Sequence, residues 1–165
     1  PTSTLKCAHP DFTYRLRSML LSPLWEETED DKSPCWRLFA IVTADSSPVE
    51  DSLEEWLDDE QYQAYASGLI DLIEAIGHAP DGPGIFNGNS NICHEAVEGE
   101  GIYRLRKGCL RLYFFYGLDR RVVLCPYAEV KRDDKVSKKT RKLLLAAKNA
   151  YMEAHAQNAL EIKEN

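Results

Sequence analysis

The chain has 165 residues, 44% of them hydrophobic, and a formal charge of -7, which suits one globular domain with a real core and a small extension. No run of about 18 apolar residues is present, which argues against a spanning helix, and five cysteines without a C-x-x-C pair argue against a disulfide framework or a zinc knuckle. The charge is divided: residues 1–100 hold 5 Lys/Arg against 20 Asp/Glu, net -15, and residues 101–165 hold 15 against 7, net +8.

The N-terminal "PTSTLKCAHPDF" lacks the order of a secretory signal, so a cytoplasmic protein is expected. Asp11 is placed to cap a short helix whose Phe12, Leu16, Met19 and Leu20 share one face, ending near Ser22-Pro23. The acidic "EETEDDKSP" that follows reads as a solvated loop. Trp36 to Thr43, "WRLFAIVT", is rich in β-branched and aromatic residues and reads as a buried strand.

Ser47-Pro48-Val49-Glu50 has the capping-box pattern with proline at the first helical position, predicting a helix from about Pro48 to Leu57. A second helix is expected from Glu60 to Ile76, where Tyr62, Tyr65, Leu69, Leu72, Ile73 and Ile76 form an apolar stripe closed by Gly77. Residues 78–100 are rich in Gly, Asn and Pro and predict a long irregular connection. Its "DGPGIFNGN" lacks the signature of a phosphate-binding P-loop, and its Cys93-His94, with Cys7 and His9 far away, matches no compact zinc spacing. No metal or other cofactor is therefore expected.

Strands follow at about Ile102–Lys107, Cys109–Tyr116 and Arg121–Tyr127, joined by tight turns into an antiparallel meander. A helix from Ser137 to about Gln157 begins with the basic "KKTRK" and carries Leu144, Ala147 and Tyr151 on its apolar side. The order predicts an α+β fold: a small antiparallel-rich sheet, covered by helices on one face and open on the other. Three parts are expected: an N-terminal helical and acidic extension over 1–35, a domain over 36–157 and a tail over 158–165.

Strand alternation then sorts the side chains. Leu105 points away from Arg104 and Arg106, and Leu110, Leu112, Phe114 and Tyr116 point away from Arg111, Tyr113 and Phe115. With the aliphatic set against the helices, Arg104, Arg106, Arg111 and Tyr113 gather on the open face. Arginines on neighbouring strands lie within about 5–8 Å of one another, an unfavourable cluster unless an anion joins it. Forked guanidinium donors match phosphate oxygens, and aromatic residues beside them offer base-stacking surface, as in proteins that bind single-stranded nucleic acid. The alternative is that the arginines pair with the acidic helices or the acidic N-terminal loop.

The order of elements, with "IYRLRKGCLRLYFF" and "VVLCPYAEVKRDDKVSKKTRKLLLAAKNAYMEA", resembles the RelE/HigB/ParE superfamily of type II toxin-antitoxin toxins, HigB-like members in particular. Leu105-Arg106, Gly108, Arg111-Leu112-Tyr113, Val122-Val123-Leu124, Tyr127 and Lys131 stand at the places of the family's pattern, and the resemblance covers about Trp36 to Tyr151. It implies a RelE/ParE-like toxin fold and a metal-independent endoribonuclease that cleaves messenger RNA, often on the ribosome, and is silenced by a cognate antitoxin. In that chemistry the substrate's 2'-hydroxyl attacks the adjacent phosphate, leaving a 2',3'-cyclic phosphate.

By that resemblance Arg106 and Arg111 bind phosphate, Tyr127 is the catalytic or base-stacking aromatic and Lys131 is the late basic residue. Arg104, Lys107, Tyr113 and Arg132 support RNA binding. Cys125 falls where HigB-like members carry histidine, and Glu129 takes a lysine position, where it acts as a general base or repels phosphate. The second reading is a non-catalytic interaction protein of the same fold, such as a gyrase-binding toxin or a degenerate homologue.

Overall fold

The computed structural model describes residues 18–25, 33–43 and 46–164. Among them the strands are β1 (Met19–Pro23), β2 (Arg37–Val42), β3 (Cys93–Val97), β4 (Ile102–Lys107), β5 (Leu110–Tyr116), β6 (Val122–Val130) and β7 (Leu160–Ile162). The helices are α1 (Pro48–Leu57), α2 (Gln63–His78) and α3 (Lys138–Ala156), with a 3-10 turn at Gly82–Phe86. The strands form one mixed sheet in the order β3-β4-β5-β6-β2-β1-β7. Four neighbours pair antiparallel, whereas β2 runs parallel to β6 and β1 parallel to β7. The fold is therefore α+β, and no described helix is long and apolar enough to cross a membrane.

Local signals explain the helix starts. Ser47 has extended backbone and its hydroxyl accepts the Glu50 N–H, while Pro48 opens α1 with a fixed φ. Ser137 does the same for α3 by accepting the Thr140 N–H at 3.1 Å. Helix α2 runs through Gly77, which packs beside the Trp36 carbonyl, and stops at Ala79. Gly77 therefore does not close it.

Two core clusters lie on opposite faces of the sheet. On one face Leu105, Leu110, Leu112, Phe114 and Val123 pack with Val49, Leu53 and Trp56 of α1 and with Leu69, Ile73 and Ile76 of α2. On the other, Phe39, Ile41, Tyr113, Phe115 and Leu124 pack with Leu144 and Tyr151 of α3. The fully buried Tyr151 also accepts the Leu118 N–H through its hydroxyl, which ties α3 to the β5–β6 turn. The expectation of an open face is corrected: helices cover both sides, and α3 lies on the arginine side.

Three other expectations change. Met19–Pro23 is strand, not helix end, because β1 finds backbone partners in β2 and β7; residues 12–17 of the expected helix and most of the acidic loop lie outside the described residues. The extension thus contributes a strand to the sheet, and so does the tail through β7. Finally, the connection over 78–100 contains the 3-10 turn and edge strand β3, which pairs with β4.

One irregularity matters for the site. Between the pairs Tyr113↔Tyr127 and Phe115↔Leu124, β6 has one more residue than β5, a β-bulge at Cys125-Pro126. Proline is tolerated there because a bulge leaves a ladder position unpaired. The extra residue reverses the alternation along β6. Leu124 faces α3 before the bulge, and Tyr127 and Glu129 share that face after it.

Candidate functional site

Four strands bring the site together in two cross-strand rows. His94, Arg104, Tyr113 and Tyr127 occupy one row across β3, β4, β5 and β6. The next contains Arg106, Arg111 and Glu129. Gly108 makes the β4–β5 turn with φ +55, and a Cβ there would lie 2.5 Å from the Tyr65 ring, so both backbone and space demand glycine. Its carbonyl accepts Arg111 Nη1 at 2.7 Å and Arg106 Nε at 3.4 Å, which holds the turn against the guanidinium groups.

The arginines differ in exposure. Arg104 and Arg111 are 2% and 1% exposed, whereas the Arg106 side chain is 36% exposed. Arg104 Nε donates to His94 Nε2 at 2.9 Å, and His94 Nδ1 donates to the Glu95 carbonyl at 2.7 Å. That pattern assigns the neutral tautomer with its proton on Nδ1. Arg111 also donates to the Leu110 carbonyl.

All three guanidiniums converge on one oxygen. Asp134 Oδ1 lies 3.2 Å from Arg104 Nη2, 3.5 Å from Arg106 Nη1 and 3.9 Å from Arg111 Nη2. Three cations thus share one carboxylate, and Arg104 Nη1 and Arg111 Nε are buried without a hydrogen-bond partner among the described residues. Burial pulls the Arg104 and Arg111 pKa values below the usual guanidinium range, neighbouring arginines pull further, and Asp134 opposes them. The arginines pair with a residue of the β6–α3 loop, not with an acidic helix.

Tyr113 and Glu129 form a second network beside the cluster. The Tyr113 hydroxyl donates to Glu129 Oε1 at 2.7 Å, and the Thr140 hydroxyl donates to Glu129 Oε2 at 3.2 Å. Burial raises the Tyr113 pKa, and its bond to the carboxylate raises it further. Tyr127 lies nearly parallel to Tyr113, with ring centroids 6.3 Å apart and planes 10° apart; burial and then Glu129 raise its pKa. Both rings therefore keep their protons at neutral pH.

The structure thus brings together Arg104, Arg106, Arg111, Tyr113, Tyr127 and Glu129. Lys131 pairs with Asp133 at 3.3 Å, and Arg132 is exposed in the same loop. Lys107 is not part of the group, since its side chain passes over Gly68 of α2 on the opposite face. Cys125 is also on the opposite face, in the α1/α2 core, where burial pushes its thiol up to about 12. His94 and Asp134 were absent from the expected site. The pairing of His94 with Arg104 depends on the β3–β4 register, which a Gly- and Asn-rich sequence does not announce.

Among the described residues no group of three or more His, Cys, Asp or Glu is arranged to hold a metal ion. The site offers guanidinium donors, a neutral imidazole and a carboxylate that already accepts two hydroxyl groups. Comparison with known proteins finds no family and no curated protein that matches the sequence.

Proposed function

We propose that this protein is a RelE/HigB-like toxin of a type II toxin-antitoxin pair, which binds RNA at the arginine cluster and cleaves it without a metal ion. The observation that carries the reading is the convergence of Arg104, Arg106 and Arg111 on a single carboxylate oxygen, with two buried N–H groups that have no partner among the described residues. Among the described residues Asp134 is the one carboxylate in ion-pair contact with the three guanidiniums, and phosphate oxygens suit forked donors. Exposed Arg132 and Lys135 lie in the loop that carries Asp134, and exposed Lys138, Lys139, Arg141 and Lys142 follow in the first turns of α3, further cationic side chains for a polyanion.

In this reading the guanidiniums hold the scissile phosphate and stabilise charge as the 2'-oxygen attacks. Besides Asp134, His94 and Glu129 supply proton acceptors beside the cluster, and Tyr127 stacks a base. A cognate antitoxin would cover the arginine side or displace α3.

A second reading, a non-catalytic interaction protein of the same fold, draws support from two observations. Arg104 and Arg111 are almost wholly buried, and both Glu129 oxygens already accept hydrogen bonds. The experiment that separates the readings incubates wild type and Arg106→Ala with RNA in EDTA, with and without ribosomes, and analyses the ends. Cleavage by wild type alone with cyclic phosphate ends supports the nuclease. Its absence in both settings, from folded protein free of partner, supports the interaction protein.

A further inference from the structure

Asp134 stands where an external anion would stand. Its side chain is 66% exposed and reaches Arg104 and Arg111, themselves nearly buried, from the rim of the site. The contact is poor for a fixed structural counterion: one oxygen serves three guanidiniums, two of them at 3.5 and 3.9 Å, and two buried N–H groups find no partner among the described residues. A surface carboxylate held this way contributes little to stability.

The loop that carries it, residues 131–137, has no regular structure and is anchored at both ends. At one end the Lys131 N–H donates to the Cys109 carbonyl at 2.7 Å; at the other Ser137 caps α3. Between the anchors the described side-chain ion pairs are Asp133 to Lys131 and Asp134 to the arginines.

We propose that Asp134 is an internal anion that latches this loop over the arginine cluster, and that an incoming phosphate group displaces it and releases the loop. A tetrahedral phosphate offers more acceptor oxygens than the single Oδ1 now in use, so it satisfies the orphaned Arg104 Nη1 and Arg111 Nε as well. Binding and loop release are then one event. That the phosphate belongs to RNA rests on the function proposed above; the latch does not.

The test compares wild type with Asp134→Asn, which removes the charge and keeps the shape. Calorimetry at fixed ionic strength measures binding of inorganic phosphate and of a 2'-O-methyl RNA oligonucleotide, which 2'-attack cannot cleave. Hydrogen exchange follows the amides of residues 132–136. The latch predicts binding of phosphate roughly tenfold tighter to the variant, because a competing charge is gone. It also predicts faster exchange in 132–136 both in the variant and in wild type saturated with phosphate. Equal or weaker phosphate affinity in a folded variant overturns it, as does loop exchange that phosphate leaves unchanged in wild type. Tighter phosphate binding without oligonucleotide binding to either protein upholds the latch and overturns the RNA reading.

Discussion

Arg106 and Arg111 face each other directly across the β4–β5 pair, two cationic side chains at one register position. Like charges placed opposite each other in a sheet are unfavourable, and here the opposition is relieved by the Gly108 carbonyl and by Asp134. The two residues serve unequal ends. Arg111 is built into the fold, while Arg106 meets solvent. Arg106→Ala is expected to change unfolding free energy by less than about 0.5 kcal/mol and, on the function proposed above, to weaken RNA binding about tenfold. Arg111→Ala is expected to cost about 2–3 kcal/mol, since it opens a cavity and removes the guanidinium donor from the Gly108 and Leu110 carbonyls. Urea melts and filter binding on the two variants check both halves.

Tyr113 gives a prediction in alkali. Its folded-state pKa is raised above its ordinary value of 10.0 by burial and by Glu129. The folded protein therefore holds the phenolic proton more tightly than the unfolded chain. The stability tied to that proton is fully present below pH 10 and is lost as pH rises toward the folded value. Tyr113→Phe is expected to flatten the decline of unfolding free energy between pH 9 and pH 11, measured by urea melts at several pH values. An identical slope in the variant would refute the assignment.

Gly108 answers two demands, a φ of +55 and the Tyr65 ring a Cβ would strike. Gly108→Ala is expected to destabilise by about 1–3 kcal/mol through backbone strain and crowding. It also moves the carbonyl that Arg111 uses, so phosphate affinity falls in the same variant. Tyr65→Ala made alongside should recover part of the stability and none of the φ cost, a double-mutant cycle read by thermal melts.

Ser137 caps α3 and its hydroxyl also donates to the Thr140 hydroxyl, which in turn donates to Glu129. Ser137→Ala is expected to cost about 1 kcal/mol, as other helix caps do. Thr140→Val leaves one Glu129 oxygen without its donor, so its cost should exceed that of a surface threonine. Comparison with an exposed control such as Lys139→Ala makes the difference measurable.

Much of this fold is legible because it is local. Ser47-Pro48-Val49-Glu50 announces α1, and alternation in β4 and β5 separates Arg104, Arg106 and Arg111 from Leu105, Leu110 and Leu112. The elements that depart from local expectation depend on partners far along the chain. The spacing of Met19 and Leu20 after Leu16 fits a helix, yet Met19–Pro23 pairs with β2 and β7, and no local signal carries that. Strand β3 has a sequence of weak strand preference, "CHEAV", and owes its existence to β4. The periodicity of α3 is plain, but which face it covers is a property of the whole sheet. Asp134 meets its arginines from 23 to 30 positions away, a contact set by the β6–α3 loop.

The bulge at Cys125-Pro126 has a consequence for how the chain tolerates change. Because it flips the alternation of β6, Tyr127 and Glu129 share a side with the arginines only while that surplus residue is present. Substitution within the strand alters one side chain at a time. Loss of one residue between Leu124 and Tyr127 would instead exchange inside for outside along the rest of the strand, sending Tyr127 and Glu129 into the α1/α2 core and Ala128 toward the guanidiniums. Length, more than composition, is therefore the property of this segment that variation can least afford to disturb.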